Sequence, residues 1–544
     1  MKISVPETFP QQNRPVTMAP HGMVTSPHYL ASQAGVDILK KGGSAVDAAI
    51  ATNAVLNVVY PHMCGIGGDG FWLIYDASKK DLAFLNASGR SPYAASMEFF
   101  KKGGMASIPL RGVLPVTVPG AVDGWFEAHG RYGMLPISTI LEPAIGYARE
   151  GFPVSHILSF KIYEAAAELT KFPDSAALFL PGGKPPRPGA VLTNPNLARN
   201  LEKIAREGRD VFYRGEIGRA IARFFQENGG LLSEKDFQDM ESTWGKPAST
   251  TYRGFTVFET PPNSQGITAL LILNLLEGFD LASMGHLSAD STHLMVEAKK
   301  LAFADRNHYI SDPEKMTLSP DLLLSKDYAA QRRSLIRPDR AMELTAVHPG
   351  NFGRDTIFLC VIDEKGNAVS LIQSLYFSFG STVVAGNTGI LLQNRGAYFS
   401  LDPQHVNRLE PHKRTFHTLM ASMTFKGDQL YMLFGTSGAD GQPQTHAQVM
   451  TGIFDYGLNI QSAIEAPRWV SGRYLVNQPE GELNLEGRFL PAVLEELKKR
   501  GHRVQKGENW AQIMGCAHGI MIDPETGVRM GGSDPRADGF AIGY

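Results

Sequence analysis

Residues 355–374 read DTIFLCVIDEKGNAVSLIQS, and this stretch decides the architecture. Side chains alternate across a strand, so Phe358, Cys360 and Ile362 share one face while Ile357, Leu359 and Val361 share the other. A strand that is apolar on both faces is covered on both sides. Asp363-Glu364-Lys365-Gly366-Asn367 separates it from a second apolar run, a signal for a tight hairpin. If the hairpin closes at Lys365-Gly366, Thr356 lies opposite Leu375, and Ser374 stands one step away on the diagonal.

Downstream, strands are expected near 419–425, 430–435, 518–523 and 539–544, and helices near 443–456 and 490–500. The C-terminal third therefore reads as sheets covered by helices. Upstream the chain turns helical. Tyr29, Gln33 and Val36 lead to a stop at Gly42-Gly43, and Ser44 caps SAVDAAIATNAVLNVV with Asp47 at the capping-box position. CGIGGDGFWLIYD follows, a glycine-rich turn entering a strand over 71–75. Gly65, Gly67 and Gly70 fit G-x-G-x-x-G by letter, but the order here is helix, turn, strand. A dinucleotide site needs the strand first, which excludes that reading and leaves a loop lining a substrate pocket open. A long amphipathic helix is expected over 291–307. It carries His293 and Glu297 at i, i+4, a metal-compatible spacing with no third ligand in view, so no metal or organic cofactor is implied.

Composition narrows the function classes. The 544 residues are 43% hydrophobic and 19% charged, as in ordinary globular proteins. A net charge of −2 gives no basis for a nucleic-acid or anionic-membrane partner. Cys64, Cys360 and Cys516 are too few for a disulfide framework or a zinc cluster and suit a reducing compartment. Residues 1–22 carry prolines where a signal peptide needs a continuous apolar core, and no run of about 18 apolar residues occurs. The expected location is the cytoplasm.

Thr356 opens the doubly apolar strand directly after the polar run HPGNFGRD. Threonine is a weak nucleophile and needs an adjacent base. An N-terminal threonine carries one, its own α-amine, which ordinarily titrates at about 7.7–8.0. That amine appears only if the Asp355–Thr356 bond is cut.

The segment DTIFLCVIDEKGNAVSLIQS resembles the cleavage site of γ-glutamyltransferases (glutathione hydrolases). GGSAVDAAIA, GIGGDGFWLIY, VPGAVDGW, EAKKLAFADRNHYISDP, NTGILLQN and SDPRADGFAIGY also match stretches of that family, in order, over nearly the whole chain. The resemblance implies an α/β N-terminal nucleophile hydrolase, a four-layer αββα sandwich with additional helices. It implies self-cleavage into a large subunit (1–355) and a small one (356–544), which form one structural unit. Carried over by position, Thr356 matches the nucleophile and Ser374 a hydroxyl bonded to it. Gly435-Thr436-Ser437-Gly438-Ala439 matches the oxyanion-hole turn, with backbone N–H groups at Gly438 and Ala439. Ala421-Ser422-Met423 stands for a paired-serine motif, so Ser422 alone is carried over.

The departures bear on substrate. Arg395 replaces an amide, Tyr398 falls where the family has an acid, and Tyr376 matches an asparagine that helps hold the substrate's α-amine. A guanidinium does not favour an ammonium, but it holds a carboxylate bidentately. The family's carboxylate-binding arginine corresponds to Arg90, or to Ser88 if no gap is allowed. These changes point to the branch with oxamate amidohydrolase and cephalosporin-acylase-like enzymes, and to hydrolysis of a small carboxylate-bearing amide. The alternatives are a true glutathione hydrolase or transferase, and an uncleaved, non-catalytic binding protein. Expected partners are the amide, water and the two subunits of one precursor, with a dimer of the processed pair.

Overall fold

The computed structural model describes residues 12–343, 355–472 and 481–544, and for Asp355 the backbone alone. In chain order the strands of the two large sheets are β1 (Thr17–Ala19), β2 (Met23–Ser26), β3 (Asp69–Asp76), β4 (Asp81–Ala87), β5 (Thr243–Gly245), β6 (Ala248–Tyr252), β7 (Phe255–Glu259), β8 (Asp355–Ile362), β9 (Ala368–Tyr376), β10 (Ser422–Lys426), β11 (Gln429–Thr436), β12 (Ala517–Ile522), β13 (Arg529–Ser533) and β14 (Phe540–Gly543). One sheet runs β14-β2-β8-β9-β3-β4-β5 and the other β1-β13-β12-β11-β10-β7-β6. Both draw strands from either side of Thr356, so the two halves of the chain are interleaved.

Three apolar clusters define the layers. Ile357, Leu359 and Val361 pack against α1 (Tyr29–Lys40) and α2 (Ala45–Val59). Phe358, Cys360 and Ile362 face the second sheet, meeting Leu419, Met423, Leu433 and Ile520. The outer face of that second sheet is covered by α3 (Gly266–Leu276), α4 (Ala289–Tyr309) and α5 (Gln442–Phe454). This is the αββα order that the family resemblance implies, and β8 is covered on both faces as its alternation requires. Each large apolar side chain buried this way contributes about 1.5–3 kcal/mol, so the seam strongly fixes the strand's facing. A Cβ on Gly435 would lie 2.3 Å from the Phe358 ring; the bare backbone there lets the sheets close at the end near Thr356.

Local signals hold in detail. Ser44 and Asp47 make both bonds of a capping box. A further helix, α6 (Pro491–Lys499), falls where expected. The long helix α4 is not amphipathic: most of its surface is buried, because α3 and α5 both pack on it.

The hairpin register differs from expectation. Asp363 N–H donates to the Asn367 carbonyl and Gly366 takes φ +83°, making a connection that pairs Ile362 with Ala368. The ladder runs to Ile357↔Gln373, one residue out of the expected register. It then slips to Asp355↔Tyr376. Thr356 therefore faces a two-residue step, Ser374-Leu375, in β9, and its hydroxyl meets that of Ser374.

Candidate active site

Thr356, Ser374 and Asp69 stand side by side on β8, β9 and β3, at the end of the sheet and on the face turned to the second sheet. Thr356 is buried, and its Oγ1 donates to Ser374 Oγ at 3.2 Å. Ser374 Oγ also accepts the Tyr376 N–H at 2.7 Å. Tyr376 has φ +82°, a costly conformation for a residue with a large side chain and one concentrated at functional sites.

Beyond this turn lies Arg395. Only 1% of it is exposed, although loop position would suggest a surface arginine. Its guanidinium stacks 4.2 Å from the Tyr376 ring centroid, and Nη1 donates to Thr418 Oγ1 at 3.1 Å. Nε and Nη2 have no hydrogen-bond partner among the described residues. Burial draws this guanidinium down to about 10, against the pull of Tyr376 and Asp69, so it stays charged at neutral pH. Tyr398 lies 5.6 Å from Tyr376, ring to ring, and donates to Asp440 Oδ1.

Asp69 completes the charge pattern. It is fully buried, and its carboxylate accepts N–H groups from Gly89 and Gly120 and faces His417 Nε2 at 3.3 Å. Burial raises it to about 7; the Gly89 N–H and the Arg395 charge oppose that rise. Burial holds His417 neutral, so it donates from Nε2 and accepts the Leu419 N–H at Nδ1.

Gly438 (φ +120°) and Ala439 (φ +45°) form the turn after β11. Their N–H groups have no backbone acceptor among the described residues. The Ala439 carbonyl accepts from Gln265 Nε2, and Asp440 is paired with Arg306.

Two expected positions fall elsewhere. Ser422 donates to the Phe434 carbonyl and sits on the face toward α5, because Ala421 and Met423 occupy the seam and side chains alternate. The hydroxyl that reaches Arg395 belongs to Thr418. Arg90 is engaged by Glu314 at 2.7 Å and Asp312 at 3.6 Å, and Ser88 donates to Asn86, so neither is open to a carboxylate. The side chain of Asp355 lies outside the described residues. Sequence reasoning missed Asp69, Gln265, Arg306, Thr418 and Asp440. An acid within the glycine-rich turn, at Asp69, was the available signal.

The spacing of His293 and Glu297 gains a third group, His502, with ligand atoms within 4.8 Å of one another. The cluster is internally hydrogen-bonded. His293 donates from Nε2 to the Arg337 carbonyl and accepts at Nδ1 from His502 Nε2 at 2.7 Å, while Lys300 and the Met342 N–H occupy Glu297. It ties α4 to the segment that follows α6. Among the described residues no helix is long and apolar enough to cross a membrane.

Residues 31–544 match the family model described as gamma-glutamyltranspeptidase. The chain is 46% identical over 522 residues to the glutathione hydrolase-like YwrD proenzyme of Bacillus subtilis (strain 168), covering 96% of this chain and 98% of that protein. It is 38% identical over 535 residues to the oxamate amidohydrolase proenzyme of Klebsiella pneumoniae, with the same coverage. The solved structure of cephalosporin acylase from Bacillus halodurans superposes at a TM-score of 0.92 and 40% identity, covering 100% of this chain and 99% of that one. The sandwich is thus that of N-terminal nucleophile hydrolases. With its fold and nearly all of its length shared, the chain belongs to the gamma-glutamyltranspeptidase family and is one of its hydrolytic enzymes.

Proposed function

We propose that this enzyme cuts itself at Asp355–Thr356 and then hydrolyses the amide bond of a small carboxylate-bearing substrate through an acyl-enzyme on Thr356. The freed fragments, 1–355 and 356–544, stay together because both sheets contain strands of each, hydrogen-bonded to one another. The new α-amine takes the proton of Oγ1, and Ser374 orients that hydroxyl. Oγ1 attacks the amide carbonyl, and the N–H groups of Gly438 and Ala439 receive the oxyanion. One such donor is commonly worth about 3 kcal/mol of barrier. The amine leaves with the proton, and water resolves the ester.

One observation carries the substrate reading: Arg395 is fully buried, charged, and has two N–H groups without partners among the described residues. A buried donor left unpaired costs about 1–3 kcal/mol, and a carboxylate fits both donors at once. The test is a panel of small amides, each with and without a carboxylate, offered to processed protein. Equal turnover of both members of each pair would sink the proposal.

A second reading has its own observation. Asp440 Oδ2 is buried and unpartnered among the described residues, and could hold an ammonium, as a γ-glutamyl substrate requires. Its other oxygen already pairs with Arg306 at 2.5 Å, which weakens that pull. Comparing a γ-glutamyl amide with its des-amino counterpart separates the two readings.

A further inference from the structure

Gln265 connects the segment that holds Arg395 to the turn that carries the proposed oxyanion amides. It precedes α3, is fully buried, and its side-chain nitrogen donates to two carbonyls. One is Thr418 O at 2.6 Å, in the residue whose hydroxyl holds Arg395. The other is Ala439 O at 2.7 Å, in the residue whose N–H is proposed to receive the oxyanion. The backbone N–H of Gln265 donates to His417 O at 2.9 Å, fixing the same segment a second time.

The amide orientation is determined. Arg306 Nη1 donates to Gln265 Oε1 at 2.8 Å, so the oxygen faces the guanidinium and the nitrogen faces the carbonyls. Arg306 also holds Asp440 Oδ1, and Tyr398 donates to the same oxygen. Ala439 sits at φ +45°, a conformation that persists only where its surroundings enforce it. Gln265 grips its carbonyl and Arg306 the side chain that follows.

A single nitrogen bonded to both segments keeps them within two hydrogen-bond lengths of each other. Hence the carboxylate anchor and the oxyanion amide cannot move apart independently. We infer that Gln265, locked by Arg306, is a positioning residue that sets the acyl-chain length this enzyme accepts. This rests on the carboxylate reading above and adds to it: the substrates are ω-amido acids of one preferred length, with neighbours in the series discriminated against.

The experiment measures kcat/KM along a homologous series, from oxamate through malonamate, succinamate and glutaramate to adipamate. Wild type, Gln265→Met and Arg306→Lys are compared as processed proteins. The wild type is expected to show one sharp optimum, at least tenfold above its neighbours. In both variants that ratio should fall to about threefold or less, with the best substrate losing tenfold or more and the others losing less. The profile is internal to each protein, so a partly unfolded preparation lowers every rate alike and leaves it unchanged. Variants that keep the wild-type ratios at reduced overall activity overturn the inference and leave Arg395 untouched. Wild type that hydrolyses the neutral counterparts of these acids equally well overturns the carboxylate reading, and the length-setting role falls with it.

Discussion

Arg395→Gln tests the pocket directly, because its consequences follow from the guanidinium's two open donors. Nε and Nη2 are unpartnered among the described residues in a fully buried side chain, while Nη1 is engaged by Thr418. A substrate carboxylate that meets both donors makes two charge-assisted bonds of about 1.5–3 kcal/mol each. Losing both removes about 3–6 kcal/mol, or roughly two to four decades of kcat/KM. These bonds form on binding and persist through the reaction, so the loss should appear mainly in KM. Arg395→Lys keeps a charge without the planar fork and should remain roughly tenfold or more below wild type. The assay is initial rate against concentration for an ω-amido acid and for its methyl ester. Glutamine should erase the advantage of the acid and leave the ester's rate nearly unchanged. Equal losses for both substrates would refute the reasoning, since the arginine would then support the fold rather than the charge.

Other outcomes follow from the same geometry. Thr356→Ala should remain a single chain near 59.3 kDa on denaturing gels, whereas wild type yields a fragment beginning TIFLCVID; spontaneous cleavage of the mutant would exclude the hydroxyl as the cutting group. Ser374→Ala removes one neutral bond to Thr356 at 3.2 Å, so processing and turnover should slow by roughly two- to tenfold rather than stop. Asp69 links stability to pH. Its pKa rises from 3.8 to about 7 on burial, so between those values the native chain binds a proton that the unfolded chain has released. That contribution is full below about pH 4 and is lost as pH rises through about 7, a span worth about 4 kcal/mol. Asp69→Asn should flatten this decline in melting temperature across pH 4–8; an unchanged slope would show that Asp69 does not titrate there.

The fold was legible where a short stretch carries its own answer. The two apolar faces of β8 fall into two different cores, as alternation requires, and Ser44 with Asp47 needed only three residues to announce a helix start. The contact between Thr356 and Ser374 was legible because the two share one hairpin, although the shift in register that leaves Thr356 facing both Ser374 and Leu375 was not. Ser422 failed for a local reason as well: in a strand, moving one position reverses the face. Arg90 failed because its partners Asp312 and Glu314 are distant in sequence. The same holds for Asp69 with His417 and for Gln265 with Ala439, contacts made only when both sheets and both helix layers are assembled.

The charges around the site also explain how so much polarity survives burial. Arg395 and Arg306 face Asp440 and Asp69, and because Asp69 is only partly ionised near pH 7 the four groups offset one another incompletely. Lys299 lies beside them with its pKa drawn down to about 7 by burial and by Arg306, so it adds a partial positive charge near neutrality. The balance is therefore slightly positive, and the open donors belong to Arg395. Burying a lone anion in such a place is costly, but an anion that meets two waiting N–H groups and a surplus of positive charge replaces its water shell with fixed donors. An ammonium would meet the same surplus as repulsion, and at Asp440 Oδ2 it would meet a carboxylate whose other oxygen is already paired with Arg306. These electrostatics favour the proposed carboxylate substrate over an ammonium-bearing one, and the proposed length discrimination through Gln265 adds a second test of that reading.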